Sequence, residues 1–321
     1  MVKWVAAWPM NAHPTESVML DLAIIIVNYN TRELLRACLR SIYASEGEFS
    51  FHVTVVDNAS GDGSIEMVRE AFPQARAISS SQNGGFAYAN NIGLRAYGFG
   101  QGRPLAELPR YALLLNPDTE LPPTALMEML SLMDARADIG AAGPRLILPD
   151  GSLDKACRRA FPSPASFIYR GLGLSKLFPD NPRFAQYNLT YLPEDQETEV
   201  DSVVGAFMLV RREALEAAGL LDESFFMYGE DLDWAFRIKQ AGWRIWYYPQ
   251  VIVYHHKGAA SRGNVRVRRA FYDAMAIFVR KHYKAQTNPL LYGLIMAGIA
   301  IKGGLDVGLT WLRGRKMGVR A

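Results

Sequence analysis

Cysteine is scarce: Cys38 and Cys157 are the only two, too few for a disulfide framework or a cysteine-rich zinc site. That usage fits a reducing, cytosolic setting. The first strand-to-helix turn lacks a G-x-G-x-x-G signature, which disfavours a nicotinamide dinucleotide enzyme. Long apolar runs are missing as well. The longest near the C-terminus, Leu290 to Ile301, covers about 12 residues and contains two glycines, short of the roughly 20 that span a bilayer. At the other end, Pro9, His13, Pro14 and Glu16 interrupt Met1 to Leu20, so no signal peptide is expected. That stretch reads as a loose extension, and Met19 stands as an alternative start.

What is present is a folded protein's composition. Half of the 321 residues are hydrophobic and 21% are charged, which excludes disordered and fibrous classes and predicts one large or two small domains. A net charge of +3 conceals an uneven distribution. Beyond His256 there are 13 Lys and Arg against only Asp273 and Asp306, so the tail carries +11 and the rest −8. Such asymmetry predicts that one end meets an anionic partner, a nucleic acid or a membrane surface.

Hydrophobic patterning predicts a doubly wound, mainly parallel α/β sheet with flanking helices. Leu22 to Val27 is a β-branched run of the kind buried on both sheet faces. Further strands are expected at Phe51 to Val56, Ala75 to Ser79 and Tyr111 to Leu115, each followed by a helical pattern. Later strands are expected at Arg145 to Leu148, Val203 to Val210 and Trp243 to Val253, and helices over Arg212 to Ala218, Glu230 to Gln240 and beyond Asn264. Phe161 to Pro193 has no clear period and reads as a loop-rich lid.

Ligands on such sheets bind at the carboxyl ends of the strands, and the polar clusters fall there. Asn28, Tyr29 and Asn30 offer groups suited to a base or ribose, or to capping. Asp57 can accept from a pyrimidine ring N–H, with Asn58 facing the other way; both also suit a turn. Asn83 and Gly84 open a helix, where free N–H groups favour anions. Asp118, in Asn116-Pro117-Asp118, is suited to a divalent cation whose remaining positions are filled by phosphate. Glu230, Asp231 and Asp233 occupy one first helical turn, favoured by the helix dipole in any case. Asp233 is expected in a surface pair with Arg237, four residues on, leaving Asp231 to face a cleft as a general base. His255 and His256 alternate in direction if the strand continues, so only one of them is expected to be functional, as a ligand to a cation or phosphate, and a structural role is the alternative.

In this order the segments resemble glycosyltransferase family 2 enzymes of the GT-A fold, in their rhamnosyltransferase-like branch. The resemblance is carried by IIIVNYN (24–30), VVDNASGDGS (55–64), NGGFAYANNIG (83–93), LLLNPDTE (113–120), VVGAFMLVRR (203–212), FFMYGEDLDWAFR (225–237) and HHKGAAS (255–261). It implies an inverting transfer by single displacement. Asn28, Tyr29, Asn30, Asp57, Asn58, Asn83, Gly84, Asn91 and Asn116 would bind the nucleotide sugar. Asp118 and His255, or His256, would hold Mg²⁺ or Mn²⁺; the family's Asp-x-Asp here keeps a single acid. Asp231, with Glu230, would supply the base. The implied donor is dTDP-rhamnose or a UDP-sugar, and the implied acceptor a cell-surface glycan or its polyprenyl-linked precursor. A transferase domain is expected over 21–262, with a donor half to 120 and an acceptor half from 121.

Residues 1–20 would precede this domain, and residues 263–321 would form a helical basic tail. With a lipid-linked acceptor, the tail is expected to rest on anionic lipid at the cytoplasmic face of the plasma membrane rather than on nucleic acid. Two other readings compete with transfer: a non-catalytic sugar-nucleotide-binding module, and a sugar-nucleotide pyrophosphorylase. The latter needs a glycine-rich basic loop after the first strand, and Asn28-Tyr29-Asn30 stands there instead.

Overall fold

The computed structural model describes residues 3–4, 19–257 and 265–316. Strand β1 is Lys3–Trp4, β2 Leu22–Asn28, β3 Ser50–Asp57, β4 Arg76–Ser79, β5 Tyr111–Leu115, β6 Thr119–Glu120, β7 Ile139–Ile147, β8 Thr198–Val200, β9 Phe207–Arg211 and β10 Arg244–His255. They form one sheet in the order β1-β3-β2-β5-β9-β7-β10-β6, with β4 beside β3 and β8 beside β10. β2 is wholly buried, because its run of Leu, Ala, Ile and Val is covered on both faces. Helix α1 (Arg32–Tyr43) presents Leu35, Cys38, Leu39 and Ile42 to this core. α2 (Ser64–Ala71), α3 (Phe86–Arg95) and α4 (Ala125–Ala135) complete the first half.

The chain runs from β2 outward to β3 and then returns to β5 on the other side of β2. That reversal opens a crevice at the carboxyl ends of β2 and β5. The sheet is more mixed than the pattern predicts, since β9 runs antiparallel between β5 and β7. It also starts later than expected, at Phe207 rather than Val203. The consequence is geometric: Leu115 pairs with Phe207, so the start of β9 lies on the same sheet edge as the ends of β5 and β7.

Two stretches read as irregular contain order. Lys3 and Trp4, within the expected loose extension, pair with Ser50 and Phe51. The Phe161 to Pro193 stretch contains α5 (Pro164–Gly171), closed by a Ser163–Ser166 capping box, and the short α6 (Leu174–Leu177).

α7 (Arg212–Ala218) and α8 (Glu230–Gln240) lead to α9 (Val265–His282), which packs with α10 (Pro289–Lys316). The spacing of Phe271, Ala274, Met275, Phe278 and His282 predicts that they share one face of α9, and the structure bears this out in part. Ala274 and Phe278 are buried, Met275 and His282 pack within the helical layer, and Phe271 is exposed. Asp233 departs from expectation. Its carboxylate is fully buried and accepts from Arg237 at 2.9 Å and His282 at 2.7 Å, with Lys281 at 2.8 Å. It is the anchor of α9 on α8, not a surface partner.

The apolar run at the C-terminus is also longer in effect than its uninterrupted letters. Helix α10 has 28 residues, and Pro289–Trp311 is long and apolar enough to cross a membrane by length and composition. One side packs on α9: Ile299 clusters with Tyr272 and Val279, and Asp306 accepts from Tyr272 Oη at 3.0 Å. The other side exposes Leu290, Leu294, Ile301, Leu305 and Leu309. Two of the tail's basic residues are ion-paired within the protein, Arg268 with Asp306 and Arg269 with Asp273. Gly258 to Ser261, Arg262 and Arg320 lie outside the described residues.

Removing one member of a buried charge cluster strands its partners, at a cost of about 3–5 kcal/mol. Asp233→Ala is therefore expected to lower unfolding free energy by about that amount, measured by urea denaturation; a loss within error of zero would refute the anchoring role.

Candidate active site

Parallel register brings the first polar groups together. Asn28 pairs directly with Asp57 across β2 and β3, and its side-chain N–H donates to Asp57 Oδ1 at 3.0 Å and to Ser60 Oγ at 3.1 Å. Asp57 Oδ2 accepts from Ser60 N at 2.9 Å. Asn28 is fully buried, so its part is to hold Asp57 rather than to face the crevice. Tyr29 and Asn30 are exposed at its mouth. Asn30 has φ 55°, and its side-chain oxygen accepts from Gly61 N. Asn58 turns away from Asp57, accepts from Gly84 N at 3.1 Å and donates to Asn83 Oδ1 at 3.0 Å. Asn91 lies buried on α3, with its amide bonded to Leu221 and Glu223.

Gly85 couples this loop to the acidic helix. Its φ is +94°, and an added Cβ would lie 2.3 Å from the carbonyl oxygen of Phe226. The next residue, Phe86, donates its N–H to that same oxygen at 2.8 Å. Only a residue without a side chain permits so close an approach.

A second cluster is assembled by β6 and β10. Antiparallel pairing sets His255 opposite Thr119, which draws Asp118 alongside. Alternation along β10 buries His255 between exposed Tyr254 and half-exposed His256. His255 Nε2 lies 3.3 Å from Asp118 Oδ1 and 3.5 Å from Asn116 Nδ2. His256 instead points to Glu120 at 2.8 Å, while its backbone N–H donates to Asp118 O. Of the two histidines, His255 is the one that faces the acid.

On its other side, His255 Nδ1 meets Asp154 Oδ2 at 2.9 Å, and Lys257 binds the same carboxylate at 2.7 Å. Burial opposes a charged imidazole, but Asp118 and Asp154 outweigh it and raise His255 to about 9. Asp118 Oδ1 is buried and accepts no hydrogen bond. A bare carboxylate oxygen and an imidazole nitrogen thus converge, and the ring is oriented from behind by a second carboxylate, as in metal sites. Among the described residues no group of three His, Cys, Asp or Glu side chains could hold a metal ion. Further ligands would have to come from phosphate and water, which suits Mg²⁺ or Mn²⁺.

The third cluster sits at the start of α8. Asp231 Oδ2 accepts from Arg159 Nη2 at 2.8 Å and from Gly205 N at 3.1 Å, and Oδ1 accepts from Leu232 N at 2.8 Å. Arg159 is itself buried and also donates to Ser202 Oγ and Val203 O. Glu230 Oε2 is buried without a partner. Burial first, and then the Asp231 charge, push the Glu230 carboxyl upward. The two neighbouring carboxyls thus differ: Asp231 is held by three donors, whereas burial disfavours charge on Glu230. The turn before them is strained, with φ of 68° at Tyr228 and 79° at Gly229, a placement typical of functional sites.

Asp154 and Arg159 escaped sequence reasoning. Asp154 lies 101 positions from the histidine it orients, and no local periodicity marks it. An Arg-Arg pair followed by Ala160 and Phe161 was the available signal for Arg159, since cations in an apolar context need buried partners.

The fold is that of a glycosyltransferase. Residues 21–274 match the glycosyltransferase-like family 2, and the chain belongs to that family as a glycosyltransferase of the rhamnosyltransferase-like kind. It is 28% identical over 302 residues to the N-acetylglucosaminyl-diphospho-decaprenol L-rhamnosyltransferase of Mycobacterium tuberculosis, covering 92% of this chain and 95% of that one. It is 27% identical over 239 residues to the rhamnosyltransferase WbbL of Escherichia coli, covering 73% and 82%. Among solved structures, the Pyrobaculum calidifontis mannosyltransferase PcManGT, in complex with GDP-Man and Mn²⁺, shares the fold. Its TM-score is 0.53 at 17% identity, over 96% of this chain and 79% of that one.

Because Asp231 is buried with its cation, Arg159→Ala is expected to cost about 3–5 kcal/mol of stability. Chemical denaturation checks this, and a cost under about 1 kcal/mol, the range of exposed pairs, would refute it.

Proposed function

We propose that this chain is an inverting, divalent-cation-dependent transferase that moves rhamnose from a pyrimidine nucleotide diphosphate to a hydroxyl of a lipid-linked glycan precursor. The observation that carries the reading is Asp231: a buried carboxylate held by Arg159 and two backbone N–H groups, on a fold whose strand ends also hold the Asp118–His255 pair. Rhamnose and the lipid-linked acceptor are inferred from the names of the mycobacterial and E. coli relatives.

In this mechanism Asp57, fixed by Asn28 and Ser60, accepts from the pyrimidine ring of the donor. Asn58 shapes the Asn83–Gly85 loop beside it, and Tyr29 and Asn30 border the same pocket. Asp118 and His255 would hold the cation together with the donor diphosphate, with Asn116 at hand and Asp154 fixing the imidazole. When bound, the ion would offset negative charge on the departing nucleotide diphosphate. Asp231 takes the proton of the acceptor hydroxyl through its remaining Oδ1 lone pair as that oxygen attacks the anomeric carbon. Arg159 keeps Asp231 oriented. No covalent sugar–enzyme intermediate is required.

The reading extends to location. Exposed Leu290, Leu294, Ile301, Leu305 and Leu309 along α10 support contact with a membrane surface, which we place at the cytoplasmic face. The Asp306–Arg268 pair holds α10 against α9, which favours a helix lying at the interface over one crossing it.

Two outcomes test this. Asp231→Asn is expected to cut turnover by about 10²–10⁴-fold, the usual worth of a general base, with donor binding retained in calorimetry. Turnover would be scored as nucleotide diphosphate release across a panel of nucleotide sugars with Mg²⁺ or Mn²⁺; undiminished release by the variant would sink the assignment. Asp154→Ala is expected to weaken Mn²⁺ binding by about 10–100-fold, as loss of a metal ligand's orienting partner does. Calorimetric titration of Mn²⁺ into wild type and variant measures it, and equal affinities would count against the site.

A further inference from the structure

Beside the acidic turn lies a cavity of about 410 Å³ that the transfer chemistry does not use. It is enclosed by α5, α9 and α10, and its walls are apolar: Phe167 and Ile168 come from α5, Met275 from α9, and Leu294 and Gly298 from α10. Its size is that of a small-molecule site. Two features give it direction. Tyr228 and Gly229 line it and immediately precede Glu230 and Asp231 in sequence. Leu294 is also 63% exposed and belongs to the apolar outer face of α10, so the cavity is continuous with the surface that the location reading sets against lipid.

The charge of the lining is one-sided. Arg170 and Lys302 contribute to it, and none of the lining residues is acidic. Both cations are exposed, and Arg170 lies over the Tyr187 ring at 4.3 Å. A predominantly apolar chamber with cations in its wall matches an apolar chain ending in an anionic head, whereas a soluble glycan would leave most of its hydroxyls facing apolar side chains.

We propose that this cavity binds the first isoprenoid units of a prenyl-diphosphate-linked acceptor. Arg170 and Lys302 meet the diphosphate, and the attached sugar is delivered past Tyr228 and Gly229 to Asp231. The proposal rests on the lipid-linked acceptor reading above and assigns that acceptor its site. Reaching the cavity from the membrane surface requires no extraction of the whole chain into water.

Gly298 provides the test. An added Cβ there meets no atom within 4 Å, so a larger side chain enters the cavity without striking backbone, and replacing a mid-helix glycine favours the helix. Full-length protein is titrated with geranylgeranyl diphosphate, with inorganic diphosphate and phosphatidylglycerol vesicles as competitors. Wild type and Gly298→Ala are expected to bind the prenyl probe. Gly298→Phe, with an unchanged melting transition, is expected to bind it at least tenfold more weakly.

Equal binding by Gly298→Phe overturns the proposal, as does failure of wild type to bind. Displacement of the probe by inorganic diphosphate alone would reduce the site to an anion site and also overturn it. Full displacement by the vesicles would assign the cavity to membrane lipid, with the same result. Nucleotide-sugar turnover is scored separately. A chain that binds the probe through Gly298 but transfers no sugar would count against the transferase mechanism and leave the cavity assignment standing.

Discussion

The buried pair between Arg159 and Asp231 is the interaction on which the site depends. It joins three parts of the chain that are distant in sequence: the segment after β7, the bend that enters β9, and the first turn of α8. Arg159 also exchanges backbone hydrogen bonds with the 201–202 segment. A guanidinium out of water is tolerable only if its charge is compensated, and here Nη2 meets the Asp231 carboxylate, the Ser202 hydroxyl and the Val203 carbonyl. The same requirement fixes Asp231. Its two oxygens accept three hydrogen bonds, so its direction is set before any acceptor arrives. This is the preorganisation that the proposed general base needs. The neighbouring Arg158 extends the tie, donating to the carbonyls of Leu192 and Pro193 and securing the far end of the stretch that contains α5 and α6.

The strand ends were legible in the sequence because two simple rules control them. A buried parallel strand must be continuously apolar, and its loop must carry the polar residues; Leu22 to Asn28 and Tyr111 to Asn116 obey both. Alternation along β10 likewise separates His255 from His256. What could not be read was pairing between distant segments. β9 has the composition of any buried strand, and nothing local states that it runs antiparallel between β5 and β7. Asp233 was misjudged for a related reason. An i, i+4 spacing with Arg237 is real, but it is blind to Lys281 and His282 arriving from α9, and those neighbours turn a surface pair into a buried cluster.

The C-terminal helix shows how counting uninterrupted apolar letters misleads. Lys302 ends the run in the sequence, yet a helix is judged by its faces, and α10 continues past it with Leu305 and Leu309 exposed. The one acid within it, Asp306, is turned inward to Tyr272 and Arg268. Gly303 allows the closest contact with Tyr272, where an added Cβ would lie 2.9 Å from the ring. The side that meets α9 thus combines Asp306 and Gly303 with apolar Ile299, while the other side leaves Leu290, Leu294, Ile301, Leu305 and Leu309 uncovered. A soluble helix on a core keeps its outer face polar; the apolar outer face of α10 gives the basic tail a second reason, besides charge, to sit on a lipid surface.

The turn from Phe226 to Gly229 is where these halves meet. Its first residue gives a carbonyl to the N–H that opens α3, binding it to the Asn83–Gly85 loop. Its last two residues line the apolar cavity, and the helix that follows begins with the acid pair. Such a path requires an abrupt change of direction. Consecutive positive φ values at Tyr228 and Gly229 supply it, and for a residue with a side chain, such as Tyr228, that conformation is unfavourable. The strain is sustained because both flanks are held, by Phe86 on one side and by Arg159 through Asp231 on the other. A glycine at position 85 is thus a condition for the position of a carboxylate 146 residues later: without the close approach of Gly85 to Phe226 the turn loses one of its two supports, and Asp231 loses its fixed direction toward the crevice.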